Sequence, residues 1–442
     1  MNAPNSDTIC AIATPPGRGG VGIIRVSGPD AAGIAATLCG RMPPARQVRY
    51  TAIQDNRGST IDHGLVIFFP RPASFTGEDV VEIQGHGSPV VLEMIVQALV
   101  AAGARRAGPG EFSQRAFVND CMDLAQAEAI ADLIAAGSEQ AARAARRSLA
   151  GALSKEVNGL IEGLVALRVW VEAALDFPDE DIDFLAEPRV TEKLESLAGG
   201  LDDLIRRAGT GRRLVDGIRV AIAGKPNAGK SSLLNALTRD ETAIVTPVPG
   251  TTRDVLRADV VIDGLTVTFS DTAGLRETGD VVEVEGVRRA RGELAAADLV
   301  LWVRDITDPD SGPAPEVDPA IPVLDLANKI DLTDILPRVD GDTLYLSAVT
   351  GAGLEALAPT ILDRLHVDPG EGEFTARKRH TEALERARTH LAAGRAELEA
   401  TGSGELLAEE LRRAADALGE ITGRMSADDL LGEIFSSFCI GK

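Results

Sequence analysis

Gly224-Lys225-Pro226-Asn227-Ala228-Gly229-Lys230-Ser231 stands between an apolar run, Ile218 to Ala223, and a stretch of helical texture that opens on Lys230. A GxxxxGK[ST] pattern in a strand-to-helix setting predicts a loop that wraps phosphate with its backbone N–H groups. The helix start adds positive potential, Lys230 reaches toward the β and γ oxygens, and Ser231 offers a hard oxygen to Mg²⁺. Working outward, Asp271-Thr272-Ala273-Gly274 closes a second candidate strand. It places a carboxylate near the metal and a backbone N–H near the γ-phosphate. Asn328-Lys329-Ile330-Asp331 comes after a further strand. A carboxylate at Asp331 accepts hydrogen bonds from both N1–H and the 2-amino group of guanine, a donor pair adenine lacks, so the expected nucleotide is GTP. Ser347-Ala348 completes the base pocket, and Thr252, within Gly250-Thr251-Thr252-Arg253-Asp254, is the natural switch threonine that joins Mg²⁺ when the γ-phosphate is present.

These motifs lie in a segment, 217–367, where β-branched runs alternate with helical stretches, the pattern of a parallel sheet wrapped by helices. Its candidate strands are Ile218 to Ala223, Val255 to Ile262, Leu265 to Ser270, Asp298 to Val303, Ile321 to Leu326 and Thr343 to Leu346. Asp263-Gly264 is a hairpin signal, so one edge strand is expected to run antiparallel. On either side, Leu124 to about Ala208 and Thr375 to Leu431 carry Ala/Leu/Glu/Arg runs of 3.6-residue periodicity. Thr8 to about Asp120 mixes short apolar runs with Gly/Pro punctuation and one helix-like stretch, Pro89 to Ala102. The expected architecture is multidomain α/β. An α+β domain spans 1–120, a discontinuous all-α helical domain spans 121–216 and 368–442, and a Ras-like P-loop α/β domain, 217–367, is inserted between its halves.

The chain has 442 residues, enough for several buried cores, and 67 acidic against 45 basic residues give a net charge of −22. That sign excludes a protein that grips nucleic acid with its whole surface; any such contact is local. Aromatics make up 3% of the residues, too few for extended base stacking. Cys10, Cys39, Cys121 and Cys439 form no CxxC spacing, which fits a reducing compartment. No stretch reads as an export signal or a membrane span, and a cytoplasmic location is expected.

Two absences are informative. Leu275 stands where Ras-like enzymes carry the glutamine that orients the attacking water, so another group must do so, and Glu277, Glu283 and Glu285 are all near. No arginine finger is identifiable either. Asn227 and carbonyls of the Thr246 to Thr251 segment could hold a monovalent cation where a finger's guanidinium would sit; alternatively Asn227 bonds only its own turn.

The chain as a whole resembles the bacterial tRNA modification GTPases of the MnmE (TrmE) family. The motifs that carry the resemblance run from Thr14-Pro15-Pro16-Gly17-Arg18-Gly19-Gly20-Val21-Gly22 through Ser74-Phe75-Thr76-Gly77-Glu78-Asp79, Gly85-His86-Gly87, Gly110-Glu111-Phe112-Ser113 and Asp123-Leu124-Ala125-Gln126-Ala127-Glu128 to Phe438-Cys439-Ile440-Gly441-Lys442. The resemblance implies a K⁺-stimulated GTPase that works with the FAD protein MnmG, in a heterotetramer, to add a carboxymethylaminomethyl group to C5 of the wobble uridine of certain tRNAs. It implies K⁺ ligands at Asn227, Thr246, Val248 and Thr251, Mg²⁺ ligands at Ser231 and Thr252, and a water-orienting Glu283 beside the catalytic Lys230 and Thr252. Its GTP contacts extend over Gly224, Asn227, Ala228, Gly229, Lys230, Ser231, Ser232, Thr246, Pro247, Val248, Pro249, Gly250, Thr251, Thr252, Asp271, Thr272, Ala273 and Gly274, and over Asn328, Lys329, Asp331, Ser347 and Ala348. A one-carbon tetrahydrofolate, 5,10-methylene or 5-formyl, is implied at Arg25, Glu82, Cys121 and Lys442, with Cys439 needed for modification. Where the family often has lysine this chain has Cys121, a neutral thiol that cannot supply an ammonium's charge. The resemblance further implies a homodimer through the amino-terminal domain and a face-to-face closing of the inserted domains that drives the cycle.

Two other classes share parts of this pattern. A ribosome-assembly GTPase would append a basic RNA-binding module, and no such motif is evident. A folate-dependent aminomethyl transferase with a regulatory GTPase domain would act without a flavin partner.

Overall fold

A computed structural model describes residues 7–176, 188–239, 257–271, 291–308, 310, 312–365, 373–424, 428–436, 438 and 441. Two compact units divide the chain: Met1–Ala131 with Asp416–Lys442, and Asp132–Ala415.

In the first unit, β1 (Ile9–Ile12), β2 (Gly19–Ser27), β3 (Val48–Gln54), β4 (Thr60–Phe69), β5 (Val80–Gly87) and β6 (Arg105–Arg106) form one sheet in the order β3-β4-β5-β2-β1-β6. Along β2, Ile24 and Val26 turn inward and Arg25 to the other face, the period of two that a half-buried strand requires. Helices α1 (Ala31–Cys39) and α2 (Pro89–Ala101) bury their apolar sides against that inner face, around Ile24, Val26, Ile83, Ile95 and Leu99. Helix α2 begins as expected, with Pro89 in its first turn, where the missing N–H costs nothing. A Cβ on Gly22 would stand 2.5 Å from Leu92, so the glycine lets α2 close on the sheet. The sequence offered no sign of α1, a short Ala/Gly-rich helix, nor of α3 (Glu111–Val118).

Helix α3 organises a buried charge cluster. Arg115, 3% exposed, donates to the Asp7 carbonyl at 2.8 Å and the Asp7 carboxylate at 2.7 Å, to Glu78 at 3.2 Å and to Glu111 at 3.1 Å. The carboxyls of Asp7 and Glu111 are held below their ordinary range: burial opposes ionisation, and the arginine hydrogen bonds outweigh it. Gly110 precedes α3 at φ 63°, and a Cβ there would meet the Phe435 carbonyl at 2.4 Å. Phe435 and Phe438 sit at that point. Phe435 and Phe438 pack on Leu124 and Ala127, and a Cβ on Gly441 would lie 2.2 Å from the Ile12 carbonyl.

The second unit holds a seven-stranded sheet of order β12-β13-β11-β10-β7-β9-β8, built from β7 (Ile218–Ala223), β8 (Arg257–Ile262), β9 (Leu265–Asp271), β10 (Leu299–Asp305), β11 (Val323–Asn328), β12 (Arg338–Asp340) and β13 (Thr343–Tyr345). The five strands from β13 to β9 are parallel. The Asp263-Gly264 turn, with φ of 45° and 82°, joins β8 and β9 antiparallel, as the sequence predicts. A second antiparallel edge, β12 on β13, was not expected; its three residues are all exposed and carry no alternation to read. The strands β10 and β11 also run two residues past the predicted ends, Val303 and Leu326, which changes what lies at the site.

Helical segments of the same unit adjoin this sheet. Helices α5 (Glu139–Leu149), α6 (Ala152–Asp176) and α7 (Pro188–Asp216) come before it, after α4 (Leu124–Ala135); Lys378–Thr401 comes after it and runs along α7. The N-cap Ser138 accepts from the Ala141 N–H at 3.1 Å and donates to the Gly264 carbonyl, which ties α5 to the β8–β9 turn. The predicted helical texture on both sides of the sheet is therefore present, as is the α+β make-up of the amino-terminal segment.

Candidate nucleotide-binding site

The parallel strands β7, β9, β10, β11 and β13 all point their carboxyl ends to one edge of the sheet, where open α/β sheets place their ligands. The 224–231 loop leaves β7 there and enters α8 (Lys230–Arg239). Gly224 and Gly229 have φ of 153° and 100°, and Asn227 is left-handed at 66°. A Cβ on Gly224 would sit 2.3 Å from the Val303 carbonyl, so only glycine lets the loop leave the sheet this closely. Lys230 is buried, and its ammonium is held over the loop by the Gly224 and Lys225 carbonyls at 2.8 and 2.9 Å. The Asn227 carboxamide makes no hydrogen bond with any described residue. Ser231 and Ser232 stand on the first turn of α8, so the Ser231 hydroxyl lies where a hard cation would find an oxygen donor.

The base motif is tied to this loop. Asn328, 2% exposed, donates through Nδ2 to the Ala228 carbonyl at 2.8 Å and accepts the Ala348 N–H through Oδ1 at 2.9 Å. One side chain thereby links the phosphate loop, the end of β11 and the turn after β13. Lys329 is left-handed at φ 70° and precedes the 3₁₀ turn Ile330–Leu332, which carries Asp331. The buried Ser347 hydroxyl donates to one Asp331 carboxylate oxygen and leaves the exposed carboxylate's remaining acceptor capacity for a ligand. Of the residues predicted from sequence, Gly224, Asn227, Ala228, Gly229, Lys230, Ser231, Ser232, Asn328, Lys329, Asp331, Ser347 and Ala348 thus gather at one edge. Asp271 ends β9 beside Ile222 of β7. Thr246, Pro247, Val248, Pro249, Gly250, Thr251, Thr252, Thr272, Ala273, Gly274 and Glu283 lie outside the described residues.

Sequence reasoning missed two contributors. Asp305, at the end of β10, receives the Lys329 ammonium at 2.6 Å; that bond first, and Thr307 second, lower its carboxyl to about 2. Folded-state depression means this pair is intact above the ordinary carboxylate range and is lost only as pH falls toward 2. Lys225 in the loop donates to the Asp310 carbonyl. The signal for Asp305 was available: an acid closing a parallel strand, one position beyond the apolar run and Arg304.

A second cluster lies in the first unit. Arg25 and Glu82 face each other across β2 and β5, paired at 2.9 Å and both mostly buried. The guanidinium also lies 4.9 Å from the Phe75 ring and 5.7 Å from the Phe112 ring. Cys121 adjoins Gly77, whose Cβ would be 2.9 Å from the thiol, and Asn119 donates to the Thr76 carbonyl at 2.6 Å. Arg25, Glu82 and Cys121 are connected in this way through the Phe75–Gly77 segment. Burial, then the neighbouring Asp120, raise the Cys121 thiol above its usual range, so it stays protonated and neutral. Cys439 and Lys442 lie outside the described residues.

No helix among the described residues is long and apolar enough to cross a membrane. A family model described as the MnmE helical domain matches residues 124–439, and a second, described as the GTP-binding protein TrmE N-terminus, matches residues 8–121. The tRNA modification GTPase MnmE of Alkalilimnicola ehrlichii is 53% identical across 98% of this chain and 99% of its own length. That of Stutzerimonas stutzeri is 53% identical over 99% of this chain and 100% of its own. The Legionella pneumophila protein of the same name is 50% identical over 99% of each.

Proposed function

The chain belongs to the family of tRNA modification GTPases called MnmE and is a GTP hydrolase of that process, and from this premise we propose the reaction it serves and the groups it uses. With a flavin partner of the MnmG type, it adds a carboxymethylaminomethyl group to C5 of the wobble uridine of its tRNA substrates, drawing on a one-carbon tetrahydrofolate. The observation that carries the GTPase half is the Asn328 side chain, which binds the phosphate loop and the base-reading turn into one site. The amino-terminal half rests on the Arg25–Glu82 pair. Mass analysis of the wobble uridine in tRNA from cells lacking this chain tests the whole: the modification should be missing, and a normal modified base would overturn the assignment.

In this reading residues 1–120 bind the folate and dimerise, 121–216 with 368–442 form the helical body, and 217–367 are the GTPase engine. The protein works in the cytoplasm, as a homodimer that joins its partner in a heterotetramer. Ser231 and Thr252 would hold Mg²⁺, whose hard oxygen preference their hydroxyls meet. Asn227, Thr246, Val248 and Thr251 would hold K⁺, which supplies positive charge where an arginine finger is lacking. What supports the Asn227 assignment is its left-handed backbone and its carboxamide without a described partner. Glu283 would orient the attacking water. GTP turnover should accordingly fall at least about tenfold when K⁺ is replaced by Na⁺ at constant ionic strength, one decade being about 1.4 kcal/mol of barrier. Equal rates in the two salts would remove the cation.

For the folate, Glu82 suits pterin N–H donors, Arg25 holds that carboxylate in place through their direct pair, and the two aromatic rings beside Arg25 supply apolar wall. Cys439 and Lys442 would complete that pocket. The neutral Cys121 adds no charge, so binding should depend on Arg25 and Glu82. Calorimetric titration with 5-formyl-tetrahydrofolate should show binding that weakens about tenfold or more in Glu82→Gln, given about 1.5–3 kcal/mol for a charged hydrogen bond. Unchanged affinity would place the ligand elsewhere.

A further inference from the structure

We propose that Asp305 is a positioning residue of the guanine site: its carboxylate anchors Lys329 and, through Lys329, the tight turn that presents Asp331. The inference rests on the reading of this edge as a guanine-nucleotide site and adds to it a residue from a strand that carries none of the recognised motifs.

The strands bring the two partners together. Asp305 stands in register with Asn328 across β10 and β11, and the Ile306 N–H donates to the Asn328 carbonyl at 3.0 Å. The end of β10 is thus fixed to the first residue of the base motif by backbone alone. Lys329 then adopts φ 70°, a conformation unfavourable for a side chain with a Cβ. Something must hold it there. The Asp305 carboxylate receives its ammonium at 2.6 Å and is itself oriented by Thr307, through the backbone N–H at 2.9 Å and the hydroxyl at 2.6 Å. An acceptor held on both oxygens cannot swing away to follow a mobile lysine.

Base reading falls to the residues just after Lys329. The Leu332 N–H donates to the Lys329 carbonyl at 3.1 Å, closing the 3₁₀ turn, and Ile330 is buried within it. Asp331 therefore projects from a turn whose entry angle is the Lys329 backbone, toward the Ser347 hydroxyl that takes one of its oxygens. Releasing Lys329 lets its backbone relax to negative φ, which re-aims Asp331. The lysine's own methylene stem would lose its fixed course at the same time. The consequence is weaker nucleotide binding; the water, metal and γ-phosphate chemistry is left in place.

The test uses the full-length chain, a fluorescent GDP for affinity and steady-state GTP turnover. In Asp305→Asn, which keeps the acceptor for Thr307 but removes the charge, Kd for GDP and KM for GTP should both rise about tenfold while kcat stays within about twofold. Asp305→Glu should recover most of the affinity. In a Lys329→Met background, Asp305→Asn should add no further loss, because the interaction it removes is already gone. A Kd within about twofold of the unaltered chain in Asp305→Asn, or a full tenfold loss on top of Lys329→Met, would overturn the proposal. A general loosening of the fold would instead lower kcat and be additive, and so also count against it. Should the unaltered chain itself fail to bind GDP, the reading of the site falls together with the proposal; normal binding with an indifferent Asp305 removes the proposal alone.

Discussion

Gly229→Ala should abolish nucleotide binding, with an affinity loss of at least about 100-fold, although it adds a single methyl group. Gly229 has φ of 100°, a conformation that costs an L residue about 1–2 kcal/mol. The larger effect is steric. The new Cβ would lie 2.2 Å from Asn328 Nδ2, the atom that donates to the Ala228 carbonyl. Asn328 cannot retreat without releasing both Ala228 and the Ala348 N–H, so the phosphate loop and the base turn separate together. Two buried backbone groups then lose their partner, at about 1–3 kcal/mol each, and with the backbone strain the sum exceeds the roughly 2.7 kcal/mol that 100-fold represents. Fluorescent GDP titration measures the loss. Gly199→Ala is the control: it lies within helix α7 with open space around its Cβ, and should leave affinity unchanged while adding up to about 1 kcal/mol of stability. If Gly229→Ala binds GDP normally, the linkage through Asn328 is not what holds the site.

Asp331→Asn should change which base is accepted. The carboxylate offers acceptors to guanine's N1–H and 2-amino group, each bond to a charged group contributing about 1.5–3 kcal/mol. Asparagine removes the charge and turns an N–H donor toward a donor. Guanine nucleotide affinity should fall by roughly 10²–10⁴-fold. Xanthine, with a carbonyl at C2 in place of the amino group, meets the new donor, and its nucleotides should gain. Because Ser347 already donates to one Asp331 oxygen, the amide has a fixed orientation: its oxygen takes the serine hydroxyl and its nitrogen faces the base. Competition between GDP and xanthosine diphosphate reads the switch. Unchanged GDP affinity, with no gain for xanthosine diphosphate, would show that Asp331 does not contact the base.

Much of this site could be read in the sequence because its parts are short and locally encoded. Gly224 to Ser231, Asn328 to Asp331 and Ser347-Ala348 each come at or just after the end of a strand, and a parallel sheet brings strand ends to one edge whatever the lengths between them. The Asp263-Gly264 hairpin was legible for the same reason, since a type I′ turn demands its residues locally. Asp305 was passed over because the predicted strand stopped at Val303; its place as an acid closing the strand was readable, but its partner, a lysine 24 residues later in sequence, was not. The Arg115 cluster was missed as well. It joins Asp7, Glu78 and Glu111, which a sequence shows only as separate charges far apart in the chain. Glycines divide likewise: Gly264 announces its turn, whereas Gly110 is required by the Phe435 carbonyl of a helix more than three hundred residues away.

The sequence by itself determined the family, the sheet class, the phosphate loop and the choice of guanine, since each depends on residue types at fixed short spacing where backbone geometry is nearly the same in any context. Only the tertiary structure decided which charges are neutralised by which, that Arg25 and Glu82 bond to each other, that Asn328 spans loop and turn, and that the terminal phenylalanines seat on Leu124 and Ala127. Such pairings are set by the register and packing of segments distant in the chain. A side chain's partner there is chosen by the free energy of burying it, which no local pattern records.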